Sequence, residues 1–395
     1  VLFRSVQSRR DIIPRAAAEE IARTATLEAV PQAEVAAEFR RVGHPLVALL
    51  NVWARKTKGD AGEYIHFGAT TQDIYDTVQL QQCREATIAF IKDLRAIEAT
   101  LIKVAQEHRA TPMIGRTVGR HALPFTFGVK VGSWLGENRR NIERLKGWLA
   151  RSDTTMISGA VGSYAALGKA AFDVEAEVAK ELGTGAPWPA DWKGARDMYA
   201  EYGALLAITA KSLGRIAQEV FLLQGDDFRE IEEPTTNVGS STMPHKVNPS
   251  FSRAVLTQAR AVPHLADILR DWQISIYERD QISSAEALGE LSTAMDKLTK
   301  AAVRMVANMK INPASMARGV DRTNGLVMAE EAMFLLGEKI GKHTAHEEVR
   351  LAARAAWDKG TKLIDEILAR PELAPAARAI DLAAKLDRKS TRLNS

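Results

Sequence analysis

Cross-linking sulfur is nearly missing from this chain: Cys83 is the only cysteine among 395 residues. One thiol can form neither an internal disulfide nor a thiolate metal cluster. That points to a reducing compartment, and the expected localisation is cytoplasmic. A dominant charge is missing too. Fifty-three basic residues stand against 49 acidic ones, for a net charge of +4. Such a mixed surface lacks the basic stripe of a nucleic-acid-binding protein, although a slight basic excess suits an anionic substrate. No uninterrupted apolar run is long enough to span a membrane, and no secretory pattern is visible at the start. Strand-like alternation is scarce. No repeat of about 20–50 residues marks a solenoid. No G-x-x-x-x-G-K-[ST] run occurs. The glycine-rich turn Gly159-Ala160-Val161-Gly162-Ser163-Tyr164 lacks the preceding strand and the spacing of a dinucleotide site.

What the chain does have is helical periodicity. Leu291, Met295, Leu298, Ala302, Met305 and Met309 follow spacings of four and three. Leu213, Ile216, Val220 and Leu223 do the same, as do Ile88, Ile91, Leu94, Ile97, Leu101 and Val104. Such stripes are the seams of long, nearly parallel helices in a bundle, so these residues are expected in the core or between subunits. Breaks at Gly59–Gly62, Gly183–Pro189 and Asn312-Pro313 punctuate the pattern. They suggest an N-terminal helical part (1–93), a central bundle (94–320) and a C-terminal helical part (321–395). The first few and last few residues are polar and aperiodic and are expected to lie outside the fold. His343 and His346, three apart on a helix, have Glu347 and Glu348 beside them. They read as an exposed charged face rather than a metal site, and no metal or cofactor is expected.

One loop concentrates chemistry. Gly239-Ser240-Ser241-Thr242-Met243-Pro244-His245-Lys246-Val247-Asn248-Pro249 places hydroxyls, an ammonium and an amide between a glycine and two prolines. By composition it could be a solvated connection. It could equally be a site that removes a proton from carbon beside a carboxylate. Ser240 would be the base, and Lys246 and Asn248 would hold the carboxylate as its charge grows. Gly239 and the prolines suit a loop that swings and then holds one closed shape.

The run resembles the G-S-S-x-M-P-x-K-x-N-P loop of the fumarase/aspartase superfamily at every fixed position. The resemblance makes Ser240 the catalytic base and Lys246 and Asn248 carboxylate ligands, with Ser241 beside them in the substrate site. A first block, His66-Phe67-Gly68-Ala69-Thr70-Thr71-Gln72-Asp73, resembles H-x-G-x-T-S-x-D and implies that His66, Thr70 and Thr71 bind substrate. Read from the residues alone, this segment is a helix start with Asp73 satisfying backbone groups. Its wording is closest to the carboxymuconate cycloisomerase branch. A second block, Gly115–Pro124, includes Thr117 as a substrate ligand. Where adenylosuccinate and argininosuccinate lyases carry a proton-donating histidine, this chain has Val118; carboxymuconate cycloisomerases carry tryptophan. His121 remains as a candidate acid or as a structural histidine. Were the segment helical, 118 and 121 would share a face. A third block, Tyr277-Glu278-Arg279-Asp280 with Ser283 and Ser284, resembles E-R-D-x-S-x-S-S and makes Arg279 a substrate ligand or half of an interhelical ion pair. Leu288 replaces the arginine that helps adenylosuccinate lyases hold phosphate. Ala195 stands where these families often place glutamine. Both changes favour a smaller substrate without phosphate.

The resemblance implies an all-α, three-part fold whose central long-helix bundle assembles into a homotetramer, with sites built from three subunits. It implies a lyase acting by β-elimination, cleaving C–N or C–O in a succinyl-type dicarboxylate and releasing fumarate or a related alkene diacid. This would be adenylosuccinate-lyase-like chemistry, but not on a nucleotide. The alternatives are a 3-carboxy-cis,cis-muconate cycloisomerase and a crystallin-like scaffold without activity. No cofactor, nucleic acid or membrane partner is implied.

Overall fold

The computed structural model describes residues 1–185, 194–234, 239, 242–274, 277–278 and 286–387. In chain order the helices begin with α1 (Leu2–Arg9), α2 (Arg15–Thr24), α3 (Gln32–Val42) and α4 (Pro45–Ala54). The long α5 (Thr71–Glu107) follows, then strands β1 (Pro112–Thr117) and β2 (Arg120–Thr126), then α6 (Phe127–Arg151) and α7 (Ala171–Leu182). Next come α8 (Asp197–Leu223), β3 (Ile231–Glu232), α9 (Phe251–Asp271), α10 (Glu286–Asn308), β4 (Lys310–Ile311) and α11 (Pro313–Asp321). The chain closes with α12 (Ala329–Ile340), α13 (Lys342–Lys359), α14 (Leu363–Ala369), α15 (Ala374–Ala379) and α16 (Leu382–Asp387). The expected mostly helical fold is therefore observed. The described strands form two antiparallel pairs, β1 with β2 and β3 with β4.

The periodic stripes lie on α5, α8 and α10, which have 37, 27 and 23 residues. Leu291, Met295, Leu298, Ala302 and Met305 are fully buried, as are Leu94 and Leu101. Ile91 and Val104 are half-buried. Ile88 is 57% exposed, and Met309 falls just past the end of α10. Asn312-Pro313 ends one helix by starting another. Asn312 Oδ1 accepts a hydrogen bond from Ser315 N at 3.2 Å. Pro313 sits in the first turn of α11, where its missing N–H costs nothing.

Cα proximity divides the chain into two compact units, each assembled from three segments. The first holds Val1–Ile91, Glu143–Ile208 and Ala261–Asp296; the second holds Lys92–Ile142, Thr209–Arg260 and Lys297–Ser395. Each of the five long helices gives residues to both units. In the first unit, the opening residues are not outside the fold, contrary to their polar appearance. Phe3 and Val6, one helical turn apart on α1, join a core with Ile157, Tyr164, Leu167 and Val174. Arg4 is buried beside them and donates to Phe67 O. Further along, Arg196 and Asp76 form a buried ion pair at 2.9 Å, with the guanidinium 4.8 Å from the Trp272 ring centre. In the second unit, α8 and α9 approach so closely that a Cβ on Gly214 would lie 2.8 Å from Ala259 Cβ. A separate core of Ala332, Leu336, Ala345, Val349, Leu363 and Ile367 joins α12, α13 and α14. Residues 388–395, also expected outside the fold, are not among the described residues.

Candidate active site

The second block is a β-hairpin rather than a helix. β1 and β2 pair so that Arg116 faces His121 and Thr117 faces Arg120. Directly opposed residues share a face, so Arg116 and His121 lie together on one side and Thr117 and Arg120 on the other. Val118 and Gly119 form a two-residue turn with φ of 49° and 74°. Two positive φ values characterise the type I′ turn, whose twist matches the flanking strands. Glycine adopts that backbone freely; a β-branched valine does not. Val118 is also fully solvent-exposed in this chain, so its side chain gains no packing in return. The position is thus a strained hairpin tip, not one face of a helix. Val118→Asn is expected to stabilise the protein by about 1 kcal/mol, because asparagine tolerates the left-handed region. Urea denaturation should show that gain, and Val118→Ile should show none.

The hairpin is tied down by a buried carboxylate. Arg116 Nη1 and Nη2 donate to Glu230 Oε2 and Oε1 at 3.0 and 2.7 Å. Glu230 is only 1% exposed, and the guanidinium lies 4.6 Å from the Phe228 ring centre. The Glu230 backbone is held as well, its carbonyl accepting from Asn312 N at 3.0 Å. A Cβ on Gly319 would come within 2.9 Å of Glu230 Oε1, so α11 needs glycine there to admit the carboxylate. His121 feels this environment. Burial lowers its pKa first, then Arg116 and Arg322 lower it further, against a weaker pull from Glu230. The ring is therefore mostly neutral near pH 7 and poorly suited to give up a proton.

Glu233 performs a second clamping role at the base of the 239–249 loop. Its two carboxylate oxygens accept from Phe251 N and Ser252 N, each at 2.8 Å. One side chain thus joins the strand entering the loop to the helix leaving it, and it caps the N-terminus of α9 where a negative charge is favoured. Within the loop, Lys246 is exposed, and its backbone N–H donates to Met243 O at 3.0 Å. Asn248 Nδ2 donates to Gly239 O. The amide expected to hold substrate oxygens therefore has one bond inside the loop in this conformation. A Cβ on Gly239 would sit 2.0 Å from Lys246 O. That glycine is required by a close approach, beyond the flexibility its residue type suggests. Ser240, Ser241 and Arg279 lie outside the described residues.

The first block belongs to the first unit. Asp73, in the opening turn of α5, accepts from Thr70 N at 2.8 Å and from Ser158 N and Gly159 N at 3.0 and 3.2 Å. The helix-capping role expected of Asp73 is what is seen, extended to the glycine-rich turn. Thr70 and Thr71 are half-buried at this helix start. His66 has its pKa lowered, first by burial and then by Arg4, with Asp73 opposing. Burial alone pushes the Arg4 guanidinium down to about 9. Within their own units, His66, Thr70 and Thr71 form one group on neighbouring residues, and Thr117 and His121 share the hairpin.

A family model described as Lyase matches residues 15–263, well over half the chain. The chain belongs to this lyase family, within the fumarase/aspartase superfamily. It is an enzyme of that superfamily. A second model, described as Adenylosuccinate lyase C-terminus, matches residues 325–391. The N-acetyl-S-(2-succino)cysteine lyase of Enterococcus italicus is 32% identical over 381 residues, covering 95% of this chain and 83% of that protein. The 3-carboxy-cis,cis-muconate cycloisomerase of Bradyrhizobium diazoefficiens is 34% identical over 367 residues, covering 91% and 81%. The crystal structure of a fumarate lyase from Mesorhizobium sp. BNC1 superposes with a TM-score of 0.89 at 31% identity, covering 100% of this chain and 89% of that one.

Two residues that hold the hairpin and the start of α9 give no signal in the sequence. Glu230 reaches Arg116 across 114 positions, and Glu233 reaches the start of α9 across 18. Neither belongs to a motif, and an acidic run such as Glu230-Ile231-Glu232-Glu233 reads as a solvated surface. Leu288, noted for lacking a phosphate-binding guanidinium, is 5% exposed and part of the core. Arg196, next to Ala195, is buried and engaged by Asp76. The described residues hold no cluster of metal-ligating side chains, and His343 and His346 are both exposed.

Proposed function

We propose that this enzyme cleaves the bond between sulfur and C2 of a succinyl group on a small amino-acid-derived thiol, releasing fumarate. The observation that carries this reading is the tip of the hairpin. Val118 occupies the position where related C–N lyases place a proton-donating histidine, and His121 nearby is mostly neutral at pH 7. An amine leaving group needs a proton as its bond to carbon breaks. A thiol with a pKa of about 8.5 leaves as thiolate far more easily. A weak donor pocket therefore fits C–S cleavage better than C–N cleavage. The 32% identity to an N-acetyl-S-(2-succino)cysteine lyase supports the same choice.

The reaction begins when Ser240 takes a proton from C3, beside a carboxylate. Electrons flow into that carboxylate, and Lys246, Asn248, Thr70, Thr71 and Thr117 stabilise the resulting dianion. The electron pair then returns to form the C2–C3 double bond as the C–S pair departs with sulfur. Ser240 keeps the abstracted proton until solvent or the thiolate removes it. His66 and Arg279 complete the grip on the second carboxylate. A serine hydroxyl is a poor base in water, so the closed loop must favour its ionised form through nearby cationic and backbone donors. Base catalysis and charge stabilisation each supply about 3–5 kcal/mol. The working form is a homotetramer in the cytoplasm whose sites draw blocks from three subunits, along the 1–93, 94–320 and 321–395 division. No described helix is long and apolar enough to cross a membrane.

A cycloisomerase reading is supported by the 34% identity to a carboxymuconate enzyme and by Val118. A substrate panel separates the two. Fumarate release from N-acetyl-S-(2-succino)cysteine should exceed that from N-succinyl amino acids and adenylosuccinate by about 100-fold in kcat/KM, the usual worth of a proton donor. Loss of carboxymuconate as the only activity would decide for the cycloisomerase.

A further inference from the structure

The second unit contains a cavity of about 820 Å³ between the hairpin, the turn after α11 and the C-terminal end of α13. That is ample for a small organic ligand. Arg120 and His121 enter from β2, Arg322 and Asn324 from the turn, and Trp357 and Thr361 from the α13 end. His121 and Arg322 also line a second cavity of about 460 Å³ on their other side. The two cavities differ in charge. The smaller is balanced, its four carboxylates Asp226, Asp227, Glu230 and Asp321 matching four arginines. The larger has two guanidiniums and no carboxylate among its described lining residues.

We infer that the larger cavity is an anion subsite that receives the carboxylate of the leaving group. The inference rests on the β-elimination reading above. Arg120 lines the cavity and stands opposite Thr117, a proposed substrate ligand, in the hairpin register. Arg120 is exposed and makes no side-chain hydrogen bond or ion pair with the described residues. Arg322 Nη1 donates to Asp227 O at 3.2 Å, which orients the guanidinium and leaves its other N–H groups for an anion. Trp357 is 61% exposed. A large apolar ring left in water at the wall of a cationic cavity offers a platform for the apolar body of a ligand whose charge meets the arginines. Two fork-shaped donors beside an indole fit an N-acylated amino acid: a planar carboxylate for the guanidiniums and an amide with its methyl group for the ring.

Product inhibition tests this on the intact enzyme. N-acetylcysteine probes the leaving-group end, and succinate probes the end held by Lys246 and Asn248. Arg120→Gln and Trp357→Ala should each weaken inhibition by N-acetylcysteine about tenfold, while the succinate inhibition constant stays within twofold. Arg120→Lys should recover part of the loss. Unchanged N-acetylcysteine inhibition in both variants would overturn the subsite. Equal losses for both inhibitors would overturn it as a separate subsite. Tighter binding of AMP than of N-acetylcysteine, lost in Arg120→Gln, would replace the carboxylate with a phosphate. If no succinyl compound turns over, the elimination reading fails. Titration of tryptophan fluorescence with N-acetylcysteine, with Trp357→Phe as control, then still decides whether the cavity binds a carboxylate.

Discussion

Ser240→Ala is expected to lower kcat by about 10³-fold, the middle of the range for a positioned general base. On the proposed mechanism the substitution removes the atom that takes the C3 proton and little else, since alanine differs from serine only by the hydroxyl. KM and succinate inhibition should stay within a few-fold, because the proposed mechanism draws the carboxylate contacts from Lys246, Asn248 and the threonines. Size-exclusion chromatography should show the same assembly as the unmodified protein. Single-turnover kinetics with substrate deuterated at C3 sharpens the result. The intact enzyme should show an isotope effect if proton removal limits the rate. A Ser240→Ala enzyme with normal kcat would sink the base assignment and return the loop to a purely binding role.

Glu230→Ala should have the largest effect on stability. It leaves Arg116 as a largely buried cation facing no carboxylate, and losing one member of such a pair costs about 3–5 kcal/mol. The hairpin also loses its tie, so kcat/KM should fall with Thr117 no longer held. Replacing both partners, as Arg116→Leu with Glu230→Leu, should recover much of the stability, because no charge is then stranded. It should not recover activity if the hairpin position matters. Guanidinium denaturation of the two single variants and the double variant gives the coupling energy directly. A coupling below about 1 kcal/mol, the size of an exposed pair, would show that the ion pair contributes little.

Much of this lyase is legible in its residue order. The seams at Leu94, Leu101, Leu213, Val220, Leu291 and Met295 identify buried helix faces, because a helix must place every third or fourth residue on one side. Asp73 is readable as a cap because the cap is local, spanning three residues. The roles proposed for Ser240, Lys246 and Asn248 come from one short run, where residue order alone says which groups lie near one another. The hairpin was harder. Arg116-Thr117-Val118-Gly119-Arg120-His121 has polar residues on both faces and a valine at a turn position that normally excludes it, so alternation and turn chemistry both give weak signals. The opening residues failed for a similar reason: Phe3 and Val6 make only one apolar turn, too short for a period to show.

Sequence by itself determined the helical class, the resemblance of the 239–249 loop to that of the lyase superfamily and the absence of a strong donor at position 118. Each depends on residues near one another in the chain, where spacing fixes geometry. Tertiary structure alone decided that Val118 sits at a strained hairpin tip, that Glu230 and Glu233 clamp the hairpin and the loop, and that Arg120, Arg322 and Trp357 surround one cationic cavity. Those facts depend on pairings made across tens to hundreds of positions. A buried carboxylate chooses its cation by which surfaces exclude water around it, and residue order does not record that choice.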